Sequence, residues 1–272
     1  MNNKKSNPNL ISRKKITSGI VRVGLALTVV ICVGCSQNKD IHSHGMGSEP
    51  KGKVSEAEMP GADQRACCRI YTKSQCSSGF IVFKDSEKVV IAATLHGLSD
   101  YGEGSEVIFF DGSSAFGQVF GSDDELDVGF IEIAISDIDR ETAVSLEHVS
   151  GPDDGASHKD AVNEEASIVA QDNDLVDITN QIYAYDLFPE GSSKSDPKAK
   201  RYEGELIFED QYLYDYDRTM LFGKLERVND GMSGTPVFSE DGKCLGMIVA
   251  ADDDGQFAGI FYDEMMKLLY FP

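Results

Sequence analysis

Asn229-Asp230-Gly231-Met232-Ser233-Gly234-Thr235-Pro236-Val237-Phe238 sets a serine between two glycines, just ahead of a proline and an apolar run. Glycine at 231 and 234 lets the backbone turn tightly and approach a bound group, because no Cβ stands in the way. Such a turn can hold a hydroxyl out in a cleft while neighbouring N–H groups converge on one point. That arrangement suits an acyl-transfer nucleophile beside an oxyanion pocket. It equally suits an ordinary Gly-Ser-Gly turn between two strands. The choice between the two depends on what precedes it.

Upstream, short runs rich in β-branched and aromatic residues recur about every ten residues, broken by Gly, Asp and Ser. They include Gly79–Phe83, Lys88–Thr94, Glu106–Phe110, Ala115–Phe120 and Asp127–Ala134. A second set follows: Ala166–Ala170, Gln181–Tyr185, Glu205–Phe208, Met220–Leu225 and, after the serine turn, Cys244–Ala250. Spacing of this kind predicts an all-β barrel or sandwich. Residues 136–165, dominated by Asp, Glu, Ser and Gly, read as an exposed connection between two halves, with His148 and His158 solvated within it. The stretch 189–202 reads as loop, and the Tyr212, Tyr214, Tyr216 alternation as strand packing. Tyr262–Tyr270 fits one short amphipathic helix packing back on the body.

His96 is the one histidine of five that closes an apolar β run, Val90-Ile91-Ala92-Ala93-Thr94-Leu95-His96. At the end of a buried strand an imidazole can be neutral and oriented, ready to act as a base, or simply a satisfied edge residue. Asp127 opens another apolar strand, where a carboxylate is costly without a partner. An imidazole N–H is a suitable partner, and the bond would fix the tautomer. The plainer account of Asp127 is a strand-start aspartate beside Asp123, Asp124 and Glu125.

In the order His96, Asp127, Ser233 the chain resembles the trypsin/chymotrypsin-like serine peptidases, particularly their bacterial Deg-type branch. The matching stretches are Ser78–Val82 as an opening strand, Ala92–His96, Asp127–Phe130, and Gly231–Val237, with Asp241–Met247 as the hairpin that follows. The resemblance covers residues 66 to 270. It implies two six-stranded antiparallel β-barrels, about 66–150 and 165–262, with a cleft between them. His96 and Asp127 would come from the first barrel and Ser233 from the second. Ser233 would attack a peptide carbonyl, His96 would carry the proton, and Asp127 would hold the imidazole. Backbone N–H groups of Gly231 and Ser233 would form the oxyanion hole, each worth roughly 3 kcal/mol. No metal or organic cofactor is needed. The family's P1 pocket maps loosely to Arg227 and to Ala250, Ala251 and Asp252, and an inward Arg227 would favour acidic side chains. Met232 stands where pancreatic-type enzymes carry the aspartate that captures a newly cut N-terminus, so that activation route is closed.

The beginning of the chain has a different character. Its first 35 residues carry six basic side chains and no acidic one, so the formal net charge of −21 becomes −27 for the remainder. So acidic a body disfavours nucleic acid and anionic lipid surfaces as partners. The basic start runs into the apolar stretch Val23–Gly34, too short to span a bilayer comfortably but suited to a signal peptide. Val33-Gly34-Cys35 resembles a lipobox in which Cys35 is acylated, although Cys32 replaces the usual leucine. A plain secretory signal or an uncleaved anchor would share the same order. Residues 36–62 read as a flexible tether, and His42 and His44 within it as spacer rather than metal ligands. A peptidase domain would then occupy residues 63–272 in the cell envelope, on its outer-membrane or periplasmic side, or secreted. Four exported cysteines, Cys67, Cys68, Cys76 and Cys244, permit two disulfides with three possible connectivities.

Two functions fit. One is an exported, lipid-anchored serine endopeptidase cleaving polypeptides through an acyl-enzyme. The other is a non-catalytic relative that binds a protein partner through the same cleft. An esterase of the G-x-S-x-G type is excluded, because its histidine comes last and a helix follows its serine.

Overall fold

The computed structural model describes residues 59–98, 104–152, 180–213 and 217–270. The expected signal peptide with Cys35, the expected tether up to residue 58 with His42 and His44, the Ala166–Ala170 run, His158, Tyr214 and Tyr216 lie outside the described residues.

A four-residue helix α1 (Ala62–Arg65) leads into six strands: β1 (Cys67–Tyr71), β2 (Cys76–Lys84), β3 (Lys88–Thr94), β4 (Ser105–Ile108), β5 (Ser114–Asp123) and β6 (Val128–Ala134). They close in the order β1-β2-β3-β6-β5-β4. Helix α2 (Arg140–Ser145) follows, capped by the Asp139 side chain, which accepts from the Glu141 N–H at 3.0 Å. The second six strands are β7 (Gln181–Asp186), β8 (Lys200–Leu213), β9 (Arg218–Leu225), β10 (Pro236–Ser239), β11 (Cys244–Ala251) and β12 (Gln256–Phe261). Their closed order, β7-β8-β9-β12-β11-β10, repeats that of the first barrel. All pairings are antiparallel. The chain is thus two closed six-stranded β-barrels with a short C-terminal helix, α3 (Tyr262–Tyr270), the chymotrypsin-like architecture.

Three apolar clusters hold this arrangement together. One fills the first barrel with Ile70, Ile81, Ile91, Val107, Phe109, Ile131 and their neighbours. Another fills the second with Leu206, Leu221, Leu225, Val237, Ile248 and Phe257. The third lies between the barrels, joining Phe80, Val82, Val90 and Phe130 to Tyr183, Tyr185, Met220, Phe238, Met247 and Met265. Alternation along each strand makes this possible: successive side chains face opposite sides, so one barrel wall serves its own interior and the shared seam. Helix α3 closes the seam with Met265 and Met266.

Several expectations need correction. Cys67, Cys68 and Cys244 are free, buried thiols, so these three and Cys76 do not form two bridges among themselves. Cys67 and Cys68 are adjacent on β1 and must face opposite ways; Cys67 enters the seam and Cys68 the first barrel. Cys244 shares the seam with Cys67, but its thiol donates to the Gly246 carbonyl while that of Cys67 donates to the Asp63 carbonyl. The stretch 189–202 is loop only to Ala199, because β8 begins at Lys200 and pairs from there with β7. The connection after β6 holds α2 rather than loop alone. The second barrel closes with β7 to β12, so it needs no strand from the Ala166–Ala170 run.

Candidate active site

The apolar run that forms β3 stops at Thr94, and a 3-10 turn over His96–Leu98 carries His96 out to the edge of the first barrel. Thr94 pairs with Val128 on β6. One step further, the Leu95 N–H donates to the Asp127 carbonyl at 3.0 Å. The Asp127 carboxylate then takes both donors of the next residue: the His96 backbone N–H at 2.8 Å through Oδ1, and ring Nδ1 at 2.5 Å through Oδ2. An ionised carboxylate can only accept, so the ring proton belongs on Nδ1 and Nε2 keeps its lone pair. Asp127 reaches this position with φ at 55°, in the left-handed region, where a few non-glycine residues sit and where strain points to a functional constraint. The His96 side chain remains half exposed and that of Asp127 about one-third exposed, at 50% and 32%. The Gln75 side-chain amide donates to the His96 carbonyl and steadies the turn from β1–β2.

The serine turn arrives from the other barrel and is bonded to the first. Ser78 on β2, wholly buried, donates its N–H to the Ser233 carbonyl at 3.0 Å and its hydroxyl to the Gly231 carbonyl at 2.8 Å. Within the turn, the Gly234 N–H donates to the Ile248 carbonyl at 2.9 Å, and the Thr235 N–H to the Met232 carbonyl at 2.9 Å. Gly234 has φ at 87°, and a Cβ there would lie 2.0 Å from the Ser78 carbonyl oxygen and 3.5 Å from the Thr94 amide nitrogen. Only glycine permits that approach. Thr94 is two residues from His96, so the serine turn packs against the end of the strand that leads into His96. Among the described residues no hydrogen bond joins the Ser233 hydroxyl to the His96 ring, a separation common before substrate binds.

Neither the Gly231 nor the Ser233 amide N–H has an acceptor among the described residues. Unpaired backbone donors on either side of Met232 are the kind of group that can receive developing negative charge. The expected P1 residues are differently disposed. Arg227 is exposed, on the segment after β9. Asp252 is taken up by the β11–β12 hairpin, where its carboxylate accepts from the Asp254 N–H, the Gln256 N–H and the Gln256 side chain. Ala250 and Ala251 are half-buried at the end of β11.

The protease Rv3671c, in a crystal structure of its inactive form, aligns at a TM-score of 0.50 and 14% identity over 77% of this chain and 89% of that one. The chain shares the fold of a protease. A serine-to-alanine mutant of Rv3671c from M. tuberculosis H37Rv, also inactive, aligns at 0.48 and 14% identity, covering 77% and 87%. No family model matches the chain, and no curated protein matches it.

Sequence reasoning did not single out Ser78, Gln75, Asp186 or Phe188 for roles around this site. Ser78 alone left a trace, as the first residue of the opening strand.

Proposed function

We propose that this chain is an exported, lipid-anchored serine endopeptidase. Ser233 is its nucleophile, His96 its general base, and Asp127 the carboxylate that orients the imidazole. The observation that carries this reading is the double grip of Asp127 on His96, ring and backbone, at the seam where Ser78 anchors the serine turn. A carboxylate bonded to Nδ1 leaves Nε2 as the acceptor that a serine hydroxyl requires.

In the reaction, Ser233 Oγ attacks the carbonyl carbon of the scissile peptide and its proton passes to His96 Nε2. The carbonyl oxygen, now negative, is received by the Gly231 and Ser233 N–H groups. Collapse of the tetrahedral species breaks the C–N bond, and His96 gives its proton to the leaving amine. A water then enters by the same route, releasing the acyl group and restoring Ser233. The substrate is a polypeptide, and Cys35 carries the lipid that holds the domain at the cell envelope.

The test is covalent labelling of the purified full chain by a fluorophosphonate. Label on the unaltered chain that is lost in Ser233→Ala and in His96→Ala supports hydrolysis. An unlabelled, folded chain favours the alternative, a barrel protein that binds a partner through the cleft. Metabolic labelling with a radioactive fatty acid, lost in Cys35→Ala, tests the anchor.

A further inference from the structure

The serine turn is gripped from a second side by groups that take no part in the chemistry above. Met232, next to the nucleophile, is fully buried among apolar side chains of the second barrel, and its thioether sulfur accepts the Asn229 N–H at 3.3 Å, a bond within the turn itself. The anchor comes from β7. Its last residue, Asp186, is 0% exposed, and each of its carboxylate oxygens takes one donor. Oδ1 accepts from the Phe188 N–H at 2.8 Å, and Oδ2 from the Asn229 side-chain amide at 2.6 Å. Asn229 opens the serine turn, and its carbonyl accepts from the Met232 N–H at 3.2 Å. Both bonds therefore lead to the same place. Phe188 closes the arrangement, because a Cβ on Gly231 would lie 2.7 Å from its ring; the ring thus rests against a residue whose N–H has no acceptor among the described residues.

The loop that carries Phe188 is held in turn by the first barrel. Arg69 on β1, 3% exposed, donates to the Ser193 carbonyl at 2.7 Å, to the Lys198 carbonyl at 2.8 Å and to the Ser192 hydroxyl. Its guanidinium lies 5.4 Å from the centre of the Phe188 ring, and Tyr71 meets that ring edge-on at 6.1 Å. A buried carboxylate is a poor means of adding stability, since an apolar pair of similar volume does as well. What it adds is direction.

We propose that Asp186, acting through Asn229, and Phe188, acting against Gly231, are positioning residues that set the oxyanion donors. This rests on the peptidase reading. A displacement of about 1 Å at such donors is enough to slow acyl transfer roughly a hundredfold.

The experiment measures the maximal inactivation rate and the half-saturating concentration of a fluorophosphonate on the full chain. Asn229→Asp sets two carboxylates face to face; the maximal rate is expected to fall about a hundredfold, with half-saturation within twofold. The exchange Asp186→Asn with Asn229→Asp restores the pair, since the new amide donates to residue 229 while its carbonyl still takes the Phe188 N–H. That double variant is expected to regain most of the rate, a rescue that general weakening of the fold would not produce. Phe188→Ala, at a half-buried position, is expected to slow inactivation about tenfold with the melting temperature little changed, and it keeps the test open should Asn229→Asp fail to fold. Label at the unaltered rate in Asn229→Asp or Phe188→Ala, or a double variant no faster than the single, overturns the positioning role alone. No label on the unaltered chain overturns the peptidase reading and this proposal with it.

Discussion

Asp127 combines an uncommon backbone conformation with two hydrogen bonds to one neighbour, and that combination separates its chemical from its structural contribution. Asparagine fills the same space and tolerates φ at 55° nearly as well, so Asp127→Asn preserves the turn. It still accepts the His96 backbone N–H through its carbonyl. Its NH2, however, now faces Nδ1 and forces the imidazole proton onto Nε2, where it blocks the base. The expected result is a loss of about ten-thousandfold in the fluorophosphonate labelling rate, with a melting temperature within a few degrees of the unaltered chain. A labelling rate unchanged by the substitution would remove His96 as the base. At this scale the sequence was partly legible. His96 and Asp127 each stood at the end of an apolar run, where a polar side chain needs a reason. Ser78, Asp186 and Phe188 did not stand out, because their roles depend on partners on other elements. Ser78 and Gly231 are 153 residues apart, and no local pattern records that contact.

Among the elements, β3 and α3 follow the sequence patterns that predicted them, and the reasons are local. Val89–Thr94 is an unbroken run of β-branched and small residues, and Tyr262–Tyr270 buries Met265 and Met266 together. The strand β12 was hidden, because Ala258 and Gly259 interrupt its β-type residues, and only pairing with β9 and β11 secures it. The start of β8 was hidden by Lys200, Arg201 and Glu203, which suit an outer barrel wall. Helix α1 is too short to be stable alone, and its hold comes from across the seam. Asp63 accepts the hydroxyls of both Tyr183 and Tyr185 on β7, each at 2.8 Å. Arg65 adds bonds to the Ser145 carbonyl at 2.9 Å and to Glu147 at 2.8 Å. Thus α1 ties the second barrel to the segment after β6. Asp63→Ala leaves two buried phenols without their acceptor and is expected to cost roughly 1–3 kcal/mol in urea unfolding. Asp63→Asn keeps an acceptor oxygen and is expected to recover part of that loss. Equal stability of Asp63→Ala and the unaltered chain would mean that α1 contributes nothing to the seam.

For the whole molecule, the seam between the barrels is expected to make the fold sensitive to alkali. Its thiols and phenols are held neutral. Burial raises the pKa of Cys67 well above the ordinary 9.0, with Cys68, Asp63 and Cys244 adding to the effect. Burial likewise raises Cys244 in the seam, and Cys68 inside the first barrel, above that value. Tyr183 and Tyr185 are raised above 10.0 by burial first and then by their bonds to the Asp63 carboxylate. The sign is the same for all five. A group whose folded pKa exceeds its unfolded value keeps its proton longer in the folded chain, so its contribution is complete below the unfolded value and declines above it. The unfolded chain starts to release thiol protons near pH 9 and phenol protons near pH 10, while the folded chain retains them. Each group within its window removes about 1.4 kcal/mol of stability per pH unit. Urea midpoints under reducing conditions should therefore be level from pH 7 to 8 and fall increasingly steeply from pH 9. Between pH 8 and 10 the thiols dominate, since the phenols titrate later in the unfolded chain. Cys67→Ala with Cys244→Ala is expected to lower the midpoint at pH 7, by opening space in the seam, yet to flatten its decline toward pH 10. A midpoint that stays level to pH 10 in the unaltered chain, or a double variant that declines just as steeply, would show that these thiols are not held neutral by the seam.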